Sequence, residues 1–513
     1  MGRMRNFFLN ISAGYFQIVC NVAYSLLSIP LILHYLPTEC LGLWATICQI
    51  TTYLTLVDLG MTSAFARILI DQKNQNSRNR YLSLVNTCIW VSVVQALAIA
   101  ATGWLLASWG IALLKIPSQQ AELFVFLLRF QVLISATGFL FRPFHAILYA
   151  HQKEYVSSLV AGITLLGSLC LLAFFFANGH GPFALSYASL FGLVATPLLI
   201  IVFCQRMRLL AGFSLFGQGS WSVFKEFFCY GREIFYMGLG HHLILTSQTI
   251  LISRVLGLEA AGVWAVGTKM FNLFLPLTWK PYGAAIPGMS EMLSQGERGR
   301  LLHRMLGMIS LTFCLAIFFS GFLILCNSSF VNIWTHGKIR WGEANNYFLG
   351  AWLLIMALQT THCNFVSVTK DIGALKYLYF IEGAFFVCIS ASLAPSLGFS
   401  AIILSSVACT VVFSYQYSLR NTCRFFGLRV ARLGWIPILP GLRYLFVYGF
   451  CIFIIKLVLH SLAPTVQLVF SAIFAFIIGG YLLFKIGLVG ALRDDILNRF
   501  QSNSITGCIL RVL

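Results

Sequence analysis

The sequence predicts an all-α, polytopic membrane protein of about 14 transmembrane helices, in two parallel six-helix lobes followed by a C-terminal helix pair. Composition, the length of the apolar segments and an internal repeat support this fold class. Of 513 residues, 59% are hydrophobic and only 10% are charged, against roughly 25% charged residues in a typical globular domain. A water-soluble fold has too little interior to bury so much apolar surface.

Fourteen apolar segments are each long enough to cross a membrane, which takes about 20 mostly apolar residues. We expect helices, because membrane barrel strands are short segments of alternating polarity and these segments are long and uninterrupted. The predicted spans cover 11–35, 41–66, 81–109, 122–148, 155–177, 183–204, 227–256, 260–286, 304–327, 347–369, 376–395, 398–419, 444–462 and 465–486.

Basic residues predict the orientation of the spans, because cytoplasmic loops carry an excess of Lys and Arg. With the N-terminus in the cytoplasm, most of the 34 Lys and Arg residues fall on the cytoplasmic side, and only Lys115, Lys338 and Arg340 lie in external loops. We predict a multi-pass protein of the cell (inner) membrane with both termini cytoplasmic. The net charge of +19 then reflects topology, and no nucleic-acid partner is expected.

The fifteen cysteines form no CxxC pair and lie mostly within the apolar spans. This distribution indicates neither a zinc site nor a disulfide framework. The sequence therefore predicts no metal site and no cofactor.

Two longer connections divide the chain. We predict an N-terminal six-helix lobe (1–211) and a C-terminal six-helix lobe (227–420), joined by a cytoplasmic interfacial linker (212–226). A second cytoplasmic linker (421–443) leads to helices 13 and 14 with a cytoplasmic tail (444–513). Both linkers mix aromatic and basic residues. Such segments lie along the membrane interface or form ordinary loops, and the sequence leaves both open.

The two six-helix groups share matched segments. Leu36-x-x-Glu39-x-x-Gly42-x-Trp44-Ala45 is followed, 220 residues later, by Leu256-x-x-Glu259-x-x-Gly262-x-Trp264-Ala265. At an offset of 217, Lys153-Glu154, Gly181, Ala184 and Ser189 match Lys370-Asp371, Gly398, Ala401 and Ser406. Because six crossings are an even number, the repeat is parallel, and secondary transporters bind substrate at the interface of such repeats.

The first seventy residues resemble the polysaccharide-biosynthesis (Wzx-type) flippases of the multidrug/oligosaccharidyl-lipid/polysaccharide exporter superfamily. The similarity rests on a first helix with scattered polar residues, Pro30, Gly42-Leu43-Trp44, Tyr53-Leu54-x-Leu56-x-Asp58-Leu59-Gly60, and Arg67. It implies a transporter, not an enzyme, that moves a polyprenyl-pyrophosphate-linked oligosaccharide (an O-antigen, capsule or exopolysaccharide repeat unit) across the cytoplasmic membrane by alternating access. The expected partners are this substrate, membrane lipids, a proton or sodium counter-ion, and a polysaccharide polymerase complex.

Ionisable residues within the spans are candidates for a polar cavity, because a charge at the centre of a membrane helix costs about 2.5–3.5 kcal/mol on insertion scales. Lys269 lies about 14 Å into its span, near the midplane, and a cavity-lining role is favoured over a structural ion pair. The bases outnumber the acids, which favours an anionic cargo. The bases are Arg129, Arg142, Arg232, Arg254, Lys269, Lys280 and Lys456, and the acids are Asp58, Glu233 and Glu382.

From this set we place Lys269, Arg129, Arg142, Arg232 and Lys280 in the substrate cavity, although Arg232 and Lys280 lie near span ends, where snorkelling is the alternative. The polar residues Asn21, His241 and Gln248 join them, since they form stripes on the first helix of each lobe; interhelical hydrogen bonding would also explain these stripes. Asp58 is expected to pair with a cation of its own lobe or to titrate as an ion-coupling site. Glu233 is the second candidate for ion coupling.

Three other functions stay open. A multidrug or cation antiporter on the same scaffold would need acidic, aromatic-lined sites, and the surplus of bases disfavours it. A peptidoglycan lipid II flippase fits the terminal helix pair, but the Arg-rich first-helix region of those proteins is missing. A membrane polymerase or glycosyltransferase would need a large loop with paired carboxylates or a nucleotide site, which we do not find.

Overall fold

The computed structural model describes residues 2–72, 78–151, 153–207, 209, 219–369, 373–459 and 461–488. Nearly all of this part of the chain is helical, and it contains no strand. The predicted all-α fold class is therefore confirmed.

The described residues form 20 α-helices. In the first half of the chain they are α1 (Gly2–Tyr35), α2 (Thr38–Leu54), α3 (Met61–Gln72), α4 (Arg78–Leu114), α5 (Ser118–Leu140), α6 (Arg142–Ala150), α7 (Glu154–Ala177), α8 (Phe183–Arg206), α9 (Trp221–Leu245), α10 (Ser247–Val255) and α11 (Leu258–Gly267). In the second half they are α12 (Lys269–Ser294), α13 (Arg298–Trp334), α14 (Glu343–Thr369), α15 (Leu375–Leu397), α16 (Phe399–Thr410), α17 (Gln416–Phe426), α18 (Val430–Trp435), α19 (Leu439–Leu459) and α20 (Pro464–Leu482).

Twelve helical segments of the described chain are long and apolar enough to cross a membrane, so the protein is a multi-pass membrane protein. The two predicted spans that are not among the twelve are 227–256 and 260–286. Each of them is interrupted, at Thr246 and Thr268. The predicted number of about 14 spans thus stays a prediction.

Residues matched at the offset of 217 have the same local structure. Gly181 and Gly398 both take a positive φ, 56° and 58°, which glycine adopts without strain. The carbonyl of each accepts a hydrogen bond from the backbone N–H of the matched alanine, Ala184 or Ala401, at 3.1 and 3.2 Å. The matched segments therefore start their helices in the same way.

Residues matched at the offset of 220 pack on one another. A Cβ atom at Gly42 would collide with the carbonyl oxygen of Leu258, and one at Gly262 would lie 2.6 Å from the carbonyl oxygen of Thr38. Leu258 and Thr38 are themselves 220 residues apart, so the contact is reciprocal. Both glycines are needed because the backbones of the two segments touch at this point.

Residue contacts divide the chain into two compact units, Met1–Gly262 and Val263–Leu513. In the first, α1 packs on α7, α4 on α5, and α7 on α8. In the second, α13 is the central helix and contacts α12, α14, α19 and α20. The predicted domain bounds remain a prediction. Most of the first predicted linker lies outside the described residues, whereas the second is largely helical and buries Leu433 against Leu419 and Cys423.

The C-terminal helices α19 and α20 pack on the rest of the second unit through glycines. A side chain at Gly321 of α13 would collide with the ring of Tyr448, and one at Gly479 of α20 would lie 2.7 Å from the Tyr448 hydroxyl oxygen. The Tyr444 hydroxyl donates a hydrogen bond to the Gly479 carbonyl at 2.9 Å. Small residues and such hydrogen bonds hold helices together in lipid, where apolar burial adds little.

We expect Gly321→Ala to lower the free energy of unfolding by about 1–3 kcal/mol, the usual effect of overpacking, because the new methyl group would overlap the Tyr448 ring. Gly449→Ala is the matched control, since a Cβ atom there meets no other atom within 4 Å. Intrinsic-fluorescence unfolding of the purified protein in detergent measures both variants. Equal midpoints for the two would contradict this packing.

Candidate functional site

Two membrane helices of the first unit are broken beside ionisable residues. A single 3-10 turn, Thr55–Asp58, follows α2, and Leu59 and Gly60 then take positive φ angles of 49° and 71° before α3 begins. The other break is the single residue Phe141, between α5 and α6. Asp58 directly precedes the first break, and Arg142 directly follows the second.

Asp58 and Arg142 form an ion pair that joins the two breaks. The Arg142 guanidinium lies 3.3 Å from a carboxylate oxygen of Asp58, and both side chains are largely shielded from solvent. The carboxylate also accepts hydrogen bonds from the backbone N–H and the hydroxyl of Thr62. The Arg142 guanidinium packs over the Phe139 ring at 3.5 Å from its centroid. The structure thus brings two of the predicted site residues together and gives Asp58 a cation of its own unit.

Gln95 of α4 supports the first break. Its side-chain amide, in a residue only 4% exposed, donates hydrogen bonds to the carbonyls of Val57 and Asp58 at 3.2 and 3.1 Å. A break in a membrane helix leaves carbonyls without their helical partners, and Gln95 supplies a donor for two of them. Gln95 was not among the residues predicted from the sequence. Its signal was available, since an amide within an apolar span is unusual.

Lys269 lies at a third break, in the second unit. Thr268, with φ −89° and ψ 3°, separates α11 from α12, and Lys269 is the first residue of α12. The Lys269 side chain is half-buried. No carboxylate among the described residues pairs with it. It is therefore an uncompensated base at the N-terminus of a helix within a predicted span.

The backbone at this third break is held by buried polar side chains. The Asn327 amide donates hydrogen bonds to the Gly267 carbonyl at 2.9 Å and to the Asn346 side chain at 2.8 Å. Asn346 also accepts a hydrogen bond from the Trp341 indole at 2.8 Å. Any side chain at Gly267 would collide with the Trp341 ring. Specific buried side chains therefore stabilise the break at which Lys269 lies.

The remaining predicted site residues lie in other surroundings. Asn21 is exposed and donates a hydrogen bond to the Gln17 carbonyl of its own helix. Gln248 is buried, and its amide nitrogen has no partner among the described residues. Arg232 and Lys280 are exposed. The side chains of His241 and Glu233 lie outside the described part of the structure.

Arg129 lies away from the Asp58–Arg142 pair, in a cavity between α4 and α5. Its guanidinium packs over the Trp104 ring at 4.5 Å from the centroid and donates to the Ser108 hydroxyl at 3.4 Å. The cavity has a volume of about 520 Å³. Arg129 and Arg142 thus occupy different sites.

Glu382 of α15 has partners that the sequence did not reveal. It is 1% exposed, and its two carboxyl oxygens accept hydrogen bonds from the Thr410 hydroxyl at 2.9 Å and the Ser414 backbone N–H at 3.2 Å. Ser414 belongs to a π-helical turn, Val411–Tyr415. Turns of this type frequently occur at functional sites. Within the described chain, no Lys or Arg forms an ion pair with Glu382.

The sequence profile of a family described as polysaccharide biosynthesis protein matches residues 37–335. This range covers more than half of the chain. No curated protein matches the chain by sequence.

The fold is similar to that of several solved membrane transporters. An inward-facing multidrug resistance MATE family transporter of the MOP superfamily matches with a TM-score of 0.65 and 12% identity, over 82% of this chain and 98% of that one. The lipid II flippase MurJ, in an inward closed conformation, matches with a TM-score of 0.64 and 13% identity, over 93% and 99%. A MOP superfamily transporter from Pyrococcus furiosus has a TM-score of 0.54 and 14% identity, over 83% and 97%.

At these identities the solved structures establish the fold alone, whereas the sequence profile establishes the family. Both agree with the resemblance predicted from the first seventy residues. The chain belongs to the polysaccharide biosynthesis protein family.

Proposed function

We propose that the protein is a flippase that moves a polyprenyl-pyrophosphate-linked oligosaccharide across the cell (inner) membrane by alternating access. The observation that carries this proposal is Lys269, a base at a helix break within a predicted span, with no carboxylate partner among the described residues. The family description, polysaccharide biosynthesis protein, supports a carbohydrate cargo. A structural neighbour that is a lipid II flippase supports a lipid-linked one.

Lys269 suits a pyrophosphate group for two physical reasons. Its ammonium group has no carboxylate partner in the described chain, so its charge is available to an anionic ligand. It also stands at the start of α12, where the free N–H groups and the dipole of a helix favour anions. Transporters use the N-termini of discontinuous helices to bind anionic substrate groups in this way. The base replaces part of the hydration that the phosphates lose in the membrane.

The Asp58–Arg142 pair has a different role in this proposal. Its charges compensate one another, so it offers little net attraction to an anion. Because each partner adjoins a helix break, the pair fixes the relative position of α3 and α6, which also pack on each other. We assign Asp58 and Arg142 to the maintenance of this geometry.

A proton is the proposed counter-ion, and Glu382 is its binding site. An ionised carboxylate buried without a cation is strongly unfavourable, and no described Lys or Arg pairs with Glu382. We therefore assign a proton to Glu382 in this conformation. Both of its oxygens are hydrogen-bonded within the unit, and the residue is too buried for a bulky cationic drug to reach it in this conformation. Release of the proton would place a negative charge against the π-helical turn, and that is the step we assign to coupling.

Cation antiport is the second candidate, because one structural neighbour is a multidrug transporter. The uncompensated Lys269 opposes it, since a cationic drug would be repelled there. A polysaccharide polymerase partner remains a prediction.

We expect Lys269→Ala to reduce surface polysaccharide at least about tenfold, since the loss of roughly 1.4 kcal/mol of phosphate binding corresponds to that factor. Lys269→Arg keeps the positive charge and should retain measurable export. Lys338→Ala, at an exposed lysine of the same unit, is the matched control. Polysaccharide is quantified on knockout cells that express each variant at equal levels. Parental export by Lys269→Ala, or efflux of cationic dyes by the unmodified protein, would count against the proposal.

The Asp58–Arg142 pair predicts non-additive stabilities. Asp58→Asn and Arg142→Gln should each destabilise the protein, because each leaves one charge shielded and unpaired. The double variant should be more stable than the sum of the two effects implies, with a coupling of about 0.5–3 kcal/mol. Thermal unfolding of the four proteins in detergent measures this coupling. Strict additivity would show that the pair does not hold the breaks together.

Glu382→Gln preserves the shape of the neutral carboxyl group, so we expect a folded protein with a parental unfolding midpoint. Its transport should no longer respond to a proton gradient, because the amide cannot release a proton. Glu291→Gln, at an exposed carboxylate, is the control. Transport of a lipid-linked oligosaccharide is measured in proteoliposomes with and without a pH gradient. An unchanged gradient response in Glu382→Gln would exclude Glu382 as the coupling site.

A further inference from the structure

The cavity that contains Arg129 has the features of a lipid-binding site. It lies between α4 and α5 of the first unit and has a volume of about 520 Å³. Its walls are mostly apolar, and two of its side chains, Glu122 and Arg129, are charged. Neither charge forms an ion pair with the other or with any described residue. The proposed flippase mechanism does not use this cavity.

The two charged lining residues lie on one face of α5. Glu122 lies one turn from the start of the helix at Ser118, Arg129 lies two turns further, and Leu133 lies one turn beyond Arg129. At 100° per residue, Glu122 and Arg129 are separated by about 20° around the helix axis, so they share one face. Glu122 is thus nearer the start of α5 than Arg129, and apolar lining residues lie between them and beyond them.

Two contacts hold the Arg129 guanidinium in place, but not all of its N–H donors have a hydrogen-bond partner in the described structure. It packs over the Trp104 ring and donates to the Ser108 hydroxyl at 3.4 Å. Its Nε atom is buried and has no hydrogen-bond partner in the described structure. Arginine binds phosphate oxygens through several parallel N–H donors, and this side chain has donors to spare.

The cavity opens on a surface that suits contact with lipid. Trp104, Phe126 and Leu133 are 47%, 41% and 49% exposed, and all three line it. Exposed apolar side chains on a membrane helix face hydrocarbon. A tryptophan beside a charged side chain is typical of the level of the lipid headgroups.

We propose that this cavity binds a phospholipid with a primary-amine headgroup, of the phosphatidylethanolamine class. The ammonium group binds the Glu122 carboxylate, the phosphate binds the Arg129 guanidinium, and an acyl chain packs against Phe126 and Leu133. The lipid belongs to the leaflet at the Ser118 end of α5, which is the outer leaflet in the predicted orientation.

Charge complementarity selects this headgroup over the alternatives. A phosphatidylglycerol headgroup has no cation for Glu122, and the carboxylate would repel the second charge of a pyrophosphate. A phosphatidylcholine headgroup carries a cation without N–H donors, so it cannot hydrogen-bond to the carboxylate. Only the amine headgroup satisfies both side chains.

The test is lipid retention by the full-length protein purified from membranes that contain phosphatidylethanolamine, phosphatidylglycerol and phosphatidylcholine in equal amounts. Native mass spectrometry counts the lipids that remain bound. We expect preferential retention of phosphatidylethanolamine, reduced at least about fivefold by Arg129→Gln and by Glu122→Gln, or about 1 kcal/mol. Lys115→Gln is the matched control, because Lys115 is an exposed base near the cavity that does not line it.

Two further comparisons make the test decisive. Addition of phosphatidylethanolamine should raise the unfolding midpoint of the unmodified protein and leave that of Glu122→Gln unchanged. Equal retention of all three lipids would overturn the proposal, as would a loss of phosphatidylethanolamine in Lys115→Gln equal to that in Arg129→Gln. Folding is checked by the midpoints without lipid. The outcome is independent of oligosaccharide transport, so failure of the flippase proposal would not affect it.

Discussion

The structure depends on one constraint, which is that backbone polar groups within the hydrocarbon must find partners inside the protein. Three of the irregular segments described above meet it with a specific side chain. Gln95 donates to the two carbonyls at the break after Asp58, and Asn327 donates to the Gly267 carbonyl before Lys269. At the π-helical turn the side chain is the acceptor and the backbone is the donor, because Glu382 accepts a hydrogen bond from the Ser414 N–H. These polar side chains allow the helices to be broken, and the breaks determine where the charged residues lie.

The ionisable residues of the spans consequently fall into distinct environments. Asp58 and Arg142 compensate one another, Glu382 is held by neutral donors, and Arg129 rests on an aromatic ring. Lys269 has none of these forms of compensation within the described chain. A sequence shows these residues only as unusual polar positions in apolar runs. The separate roles that we propose for them rest on the different partners of each side chain.

Much of the fold could be predicted, because in a membrane protein each span is a local property of some twenty residues. The repeat was also visible, and Gly181 and Gly398 share a backbone conformation that their matched positions had suggested. The pairing of Asp58 with Arg142 could not be predicted, since 84 positions separate them and no periodicity relates them. The spans at 227–256 and 260–286 look continuous in sequence. No proline or glycine adjoins the interruption at Thr246. The interruption at Thr268 directly follows Gly267, whose carbonyl accepts a hydrogen bond from Asn327, a partner distant in sequence.

Tyr448 of α19 packs against two glycines, Gly321 of α13 and Gly479 of α20. Gly321 and Gly479 leave a groove that the ring of Tyr448 fills. A chain that ended before α19 would expose that groove along with the buried face of α13. Helices α19 and α20 are thus a structural part of the second unit. A deletion of this pair would remove packing that supports the remaining helices.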